Sequence, residues 1–364
     1  MNKKLILETI GKNTKDHGLF YLGQAPLDVA QDFRWFEKWL AEGRQADMQY
    51  LEKYLEVRKD PKKLLDGAKS ALVFGLPYYL GDKWQRGPGH ATPQIAMYAR
   101  LLDYHKVVKK ILTDLMEDLK TRFVELERES YRVTVDSAPL LERAVTASTG
   151  QGFIGKNTCY IHPKLGSFLL LGEIIVTWGI DDAAASETPK RVDASKRTPL
   201  GGCGSCKRCQ VHCPTGALDQ DYQIDARRCL SWWTIENRGP IPEEYWKWIG
   251  QYMFGCDICQ LVCPWNRGLE VSPHTTSLLK ISNNLDAYEV AVMDEKKYLE
   301  LFAKTPATRA KKDGLVRNAL IALHVRGDPR IDSAMLHLDD DPSEVIRHTI
   351  STIKRRGEKS QSTR

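Results

Sequence analysis

No apolar run in this 364-residue chain is long enough to span a membrane. The opening MNKKLILETIGKN has two lysines but only a short apolar patch, too short for a signal peptide. Both absences predict a cytoplasmic chain that does not enter a membrane. No G-x-G-x-x-G fingerprint occurs, and GFIGKN lacks the spacing and the Lys-Ser/Thr pair of a phosphate-binding Walker loop. Nothing therefore points to a nicotinamide cofactor or to ATP. The cysteines are not arranged as pairs set apart by a longer loop, which is the usual pattern of structural zinc.

What is present is ordinary in bulk and uneven in detail. Hydrophobic residues make up 42% and charged residues 27%, as in a soluble globular protein long enough for two or three domains. The net charge is +6. From Lys304 to the end there are 13 lysines and arginines against 8 acids, so nearly all the excess sits at the C-terminus. Such a tail is either a solvated face or a surface for a polyanion.

Nine cysteines in a reducing compartment argue for metal or redox chemistry over disulfides. CGSCKRCQVHCP places Cys203, Cys206, Cys209 and Cys213 in the C-x2-C-x2-C-x3-C-P run of bacterial ferredoxins. CDICQLVCP supplies Cys256, Cys259 and Cys263. In a two-cluster ferredoxin the last cysteine of each run ligates the other cluster. Cluster one then takes Cys203, Cys206, Cys209 and Cys263. Cluster two takes Cys213, Cys256, Cys259 and one more, assigned to Cys229 because it lies inside the module. Cys159 is left as a buried small hydrophobe.

Apolar spacing predicts helices through the first 65 residues, a strand at 70–79, a helix from Met97 to Leu119, and a strand from Tyr131 that delivers Asp136 at its end. Residues 181–200 look like a linker. The chain is thus expected to be an α+β multidomain protein. An α/β domain spans 1–195 and a double 4Fe–4S ferredoxin module 196–270. Amphipathic helical repeats follow over 285–364, broken at Gly327-Asp328-Pro329 and Asp341-Pro342.

A module of about 70 residues does not need 180 residues in front of it unless something there receives electrons. VDSAPLLERAVTASTGQGFIGKNT, GSFLLLGEI, CGSCKRCQVHCPTGAL, RCLSWWTIE, FGCDICQLVCPWN and TRAKKDGLVRNALIAL, in that order, resemble the epoxyqueuosine reductase family over most of the chain. The resemblance implies a cobalamin-binding N-terminal domain related to reductive dehalogenases and C-terminal HEAT-like repeats. It implies a tRNA substrate held by its anticodon stem-loop, and an external electron donor to a monomeric enzyme. Asp136 matches the family's proton donor, with His105 as second choice. Arg58, Tyr104, Asp136, Lys156, Asn157, Ser167 and Ser231 fall in its corrin-binding stretches. Lys311, Lys312, Arg317, Arg347, Lys354, Arg355 and Arg356 are the candidates for RNA phosphates. Epoxide oxygen leaves as water, which calls for a carboxyl group held neutral by a raised pKa. A corrinoid reductive dehalogenase and a non-catalytic iron–sulfur RNA-binding protein are the competing readings. The first is usually exported and needs no basic tail, and a cobalamin titration separates the second.

Overall fold

The computed structural model describes residues 3–85, 93–179 and 201–362. The expected linker at 181–200 lies outside them.

The N-terminal domain is built on one four-stranded sheet. Its strands are β1 (Phe20–Pro26), β2 (Ser70–Pro77), β3 (Tyr131–Thr134) and β4 (Leu169–Val176). Their order is β1-β2-β4-β3, and every neighbouring pair is antiparallel. The expected α/β domain is therefore α+β. β2 and β4 are buried along nearly their whole length, because both faces of the sheet are covered. Leu72, Phe74 and Leu76 pack with Val108, Leu112 and Met116 of the helix Tyr104–Arg122, and with Ile6 and Ile10 of the helix Lys3–Asn13. Ala71 and Val73 point the other way, toward Ala144, Val145 and Ala147 of the helix Glu142–Ala147.

Two local expectations change. β1 interrupts the all-helical reading of the first 65 residues; FYLGQAP shows no clean alternation because its register shifts between Tyr21 and Gly23. The helix expected from Met97 begins at Tyr104, where the Asp103 carboxylate caps the His105 N–H. A cap of this kind contributes about 1 kcal/mol. Residues 97–100 form a separate 3-10 turn.

The C-terminal helices are Lys311–Arg326, Ile331–His337 and Glu344–Ser362, with the two Asp-Pro breaks falling between them. The first is not amphipathic: every residue from Gly314 to Leu323 is buried. One hydrophobic core joins its Leu315, Ala319 and Leu323 to Leu230, Ile235, Trp246 and Phe254 of the cysteine-rich region. The half of the module around 230–254 and the C-terminal helices thus share a core, across the boundary drawn at 270–285.

Candidate redox and proton-transfer site

β3 ends at Thr134, and two residues later Asp136 turns into a left-handed conformation (φ 48°) that aims its carboxylate back at the start of the helix Tyr104–Arg122. The Tyr104 hydroxyl donates to Asp136 Oδ2 at 2.8 Å. His105 Nε2 lies 2.9 Å from the same oxygen, and His105 Nδ1 lies 2.7 Å from Asp103 Oδ1. The imidazole is thus gripped between two carboxylates. The rings of Tyr104 and His105 stack with centroids 4.1 Å apart.

Electrostatics places the proton. Burial opposes charge on His105, but its bonds to Asp136 and Asp103 outweigh that and raise its pKa above the ordinary 6.5. Burial likewise raises Asp136, but the bonds from His105 and Tyr104 outweigh it and leave the pKa below 3.8. The expected neutral carboxylic acid is therefore an ionised one, and the proton rests on His105. Burial and the Asp136 charge push the neighbouring Glu142 up to about 7. Asp136 keeps 51% of its side chain exposed, so the proton store opens into a cleft.

The rest of the cleft comes from distant segments. Tyr50 and Tyr98 feel the charges of Asp136, Glu236 and Arg309. Arg309 forms a bidentate pair with Glu236 at 2.9 to 3.1 Å and lies 5.1 Å over the Tyr50 ring. Arg58 is 9% exposed, stacks 5.7 Å over Phe36, and its Nε has no hydrogen-bond partner among the described residues. Sequence reasoning missed Asp103, Tyr50, Tyr98, Glu236 and Arg309. Only Asp103 left a local signal, as the acidic cap directly before Tyr104-His105.

The eight module thiols fall into two groups. Cys203, Cys206, Cys209 and Cys263 line one cavity, closed by Pro264 and Trp265. Cys213, Cys229, Cys256 and Cys259 influence one another electrostatically as a second group. No three His, Cys, Asp or Glu side chains among the described residues converge on a single-ion centre. None of the nine cysteines forms a disulfide. The second group lies toward the cleft. Asp257, between Cys256 and Cys259, accepts from Met97 N at 2.8 Å, and the adjacent Tyr98 feels both Asp257 and Asp136.

Several expected site residues sit elsewhere. Ser167 is 4% exposed and its hydrogen bonds go to the module: its Oγ donates to Gln260 Oε1 (3.0 Å) and accepts from Asn266 Nδ2 (2.9 Å). It is part of an interdomain seam and not of the cleft. Lys156 is 4% exposed and paired to Asp221 at 3.0 Å, beside the first thiol group. Asn157 donates to Cys259 O. Burial raises the Cys229 thiol pKa and Ser231, two residues on, opposes that shift, which places Ser231 beside the second group. Arg317 is fully buried and donates to the carbonyls of Trp233, Asn237 and Gly239, which removes it from any RNA surface. Lys311, Lys312, Arg347, Lys354, Arg355 and Arg356 are exposed or half-exposed, as a phosphate-binding face requires.

Thiols grouped in fours beside a carboxylate–imidazole proton store define an iron–sulfur oxidoreductase. Residues 202–266 match a 4Fe-4S double cluster binding domain, and residues 58–137 match the epoxyqueuosine reductase QueG model. Epoxyqueuosine reductase of Xanthomonas campestris is 32% identical over 92% of this chain and 92% of its own. That of Pseudomonas aeruginosa is 31% identical over 94% and 92%. The chain belongs to the epoxyqueuosine reductase family. Solved relatives share the fold. The Bacillus subtilis enzyme, in a form with its catalytic aspartate loop swung out of the active site, aligns with a TM-score of 0.79 at 26% identity over 96% of this chain and 90% of that one. An epoxyqueuosine reductase with an epoxyqueuosine-modified tRNA-Tyr stem loop aligns at 0.77 and 27%, over 96% and 89%.

Proposed function

We propose that this protein reduces epoxyqueuosine to queuosine in the anticodon loop of tRNA, with cobalamin in the cleft and two 4Fe–4S clusters feeding it. The observation that carries the reading is a run of contacts from the proton store to the second thiol group: the Tyr104 hydroxyl donates to Asp136, the Tyr104 ring meets Tyr98 edge-on, and the adjacent Met97 N–H donates to Asp257, between Cys256 and Cys259. Turning an epoxide into an alkene consumes two electrons and two protons and releases one water. The cleft holds a group that stores protons, and the module holds carriers that deliver electrons singly.

The first cluster is held by Cys203, Cys206, Cys209 and Cys263, the second by Cys213, Cys229, Cys256 and Cys259. The cleft suits a corrin. A buried guanidinium with an unpartnered Nε needs a polar group from outside the chain, and a corrin offers amides around its rim. Arg58 and Tyr104 would hold it, and bound cobalamin supplies a cobalt centre that takes up single electrons. Ser167, Lys156 and Asn157 instead fasten the module to the domain. Asp136, ionised at rest, would relay to the departing oxygen a proton that it takes from His105. Tyr104 orients the carboxylate, His105 replenishes it, and Asp103 holds His105 in place.

A loop base is already partly unstacked and reaches a buried centre at a cost of a few kcal/mol or less. Among the described residues, Lys354, Arg355 and Arg356 form their ion pairs with exposed acids, Asp339 and Glu243, and Arg356 also lies over the Trp246 ring. Such pairs contribute about 0–1 kcal/mol and exchange readily for phosphate. The helical repeats would bind the anticodon stem this way, while an external donor reduces the clusters. Anaerobic reconstitution with cobalamin and a reductant, followed by nucleoside analysis of epoxyqueuosine tRNA, tests the proposal. Queuosine is expected.

A further inference from the structure

The segment before the first C-terminal helix runs along the lip of the cleft. Asp103 N donates to Lys304 O at 2.7 Å, which ties that segment to the residue before Tyr104 and His105. Its turn Pro306–Ala310 packs on the turn Met97–Arg100, which carries Tyr98, and on the turn Trp232–Glu236. Arg309 projects from it with 52% of its side chain exposed, and the Tyr50 ring beside it is 42% exposed. The Arg309 Nε and Nη2 meet Glu236 in a fork at 2.9 to 3.1 Å, and the guanidinium lies 5.1 Å over the Tyr50 ring. Arg238 donates to Arg309 O at 2.6 Å and to Ala310 O at 3.0 Å, which pins the backbone beneath. On the other side Trp232 Nε1 donates to Asp47 Oδ1 at 3.0 Å and holds the loop that carries Tyr50. The guanidinium and the ring are thus presented as a fixed, half-exposed stack that joins two distant parts of the chain.

The chemistry selects a flat ligand over an anionic one. Glu236 offsets the charge of Arg309 and would repel a phosphate from that edge. The Tyr50 hydroxyl is engaged with Met48 Sδ at 3.3 Å, so the ring face is what Tyr50 offers. Aromatic faces and arginine planes are the surfaces on which unpaired RNA bases stack. Lys311 and Lys312 follow Arg309 closely in the chain, so an RNA backbone on the C-terminal helices would pass this stack on its way to Asp136. We propose that Tyr50 and Arg309 form a stacking platform for an unpaired anticodon-loop base flanking the modified nucleotide, with Glu236 as the positioning residue that fixes the plane. The platform keeps the neighbouring base outside while the modified one enters the cleft. The inference rests on the stem-loop being the substrate, as proposed above.

The test is fluorescence-anisotropy binding of the anaerobically reconstituted full-length protein to a labelled epoxyqueuosine anticodon stem-loop. A second stem-loop is identical but abasic at the two positions flanking the modified one. The parent protein is expected to bind the intact loop about tenfold more tightly, as one base–aromatic stack gives. Tyr50→Ala should lose that tenfold on the intact loop and match the parent on the abasic loop, while Tyr50→Phe stays at the parent value. Arg309→Lys keeps the charge but not the plane, so it should weaken binding of the intact loop with no change in salt slope. If the parent binds both loops equally, or Tyr50→Ala weakens both alike, the inference is overturned. A parent that binds neither loop overturns the stem-loop reading and the inference with it. A parent that binds and converts the intact loop while Tyr50→Ala binds it equally well overturns the inference alone.

Discussion

His105 Nε2 stands 2.9 Å from Asp136 Oδ2, and its other ring nitrogen stands 2.7 Å from Asp103 Oδ1. In the proposed reaction this relationship would make the aspartate the delivery group and the histidine the reservoir. Asp136→Asn keeps the shape but cannot pass a proton on. It is expected to lower turnover about 10²–10⁴-fold with both clusters and cobalamin still bound. Single-turnover kinetics and the cofactor spectrum check both halves.

The pH profile follows from the signs. His105 has its folded pKa raised, so its protonated form, and the stability it contributes, is fully present below 6.5 and is lost as pH rises through the higher folded value. Asp136 has its pKa lowered, so its contribution is present above 3.8 and is lost as pH falls through the lower folded value. Turnover should therefore decline on an alkaline limb that begins above 6.5. His105→Gln should remove that limb and slow the reaction; an unchanged limb would assign it to another group.

The cluster wiring predicts metal content. Cys229→Ala should lose one of two clusters, and Cys263→Ala should disturb the group of Cys203, Cys206 and Cys209 although it comes from the other run. Iron analysis after anaerobic purification reads both.

The grouping of seven of these thiols was legible in the spacing of the two runs, and that of Cys229 in its place inside the module. Asp136 was legible because a strand ending before a proline-containing turn presents its last residues. The state of its proton was not, since it depends on Tyr104 and His105 arriving from a helix start 31 residues earlier in the chain. Lys156, Asn157 and Ser167 were expected at a corrin, but spacing cannot show that the module occupies their polar atoms. Arg317 looked like one more basic surface residue, because a helix buried on all sides carries no amphipathic signal.

Arg317→Ala should destabilise the fold and not the RNA contact as such. It removes the guanidinium from the carbonyls of Trp233, Asn237 and Gly239; Gly239 O keeps Asn237 Nδ2, while the buried Asn237 carbonyl loses its Arg317 donor, at about 1–3 kcal/mol for a buried group left unsatisfied. Thermal unfolding should show a large drop in Tm. Arg317→Lys should recover only part of it, because an ammonium cannot reach the three carbonyls in the same fork.

The basic face needs point substitution, since cutting away the C-terminal helices would strip the core they share with Leu230, Ile235 and Phe254. Replacing Lys354, Arg355 and Arg356 together by Ala should weaken stem-loop binding. If each meets one phosphate, the slope of log affinity against log salt should fall by about 2–3. An unchanged slope would place the RNA elsewhere.

The most direct measurement of the central claim follows the nucleoside itself. The reconstituted protein, loaded with cobalamin and both clusters and given a low-potential reductant, is incubated with an epoxyqueuosine-bearing anticodon stem-loop, and the digested RNA is analysed by mass spectrometry. The account predicts conversion to queuosine with loss of one oxygen, dependent on cobalamin and abolished or slowed at least a hundredfold by Asp136→Asn. No conversion by fully loaded protein, or equal conversion by the Asp136 variant, would contradict it.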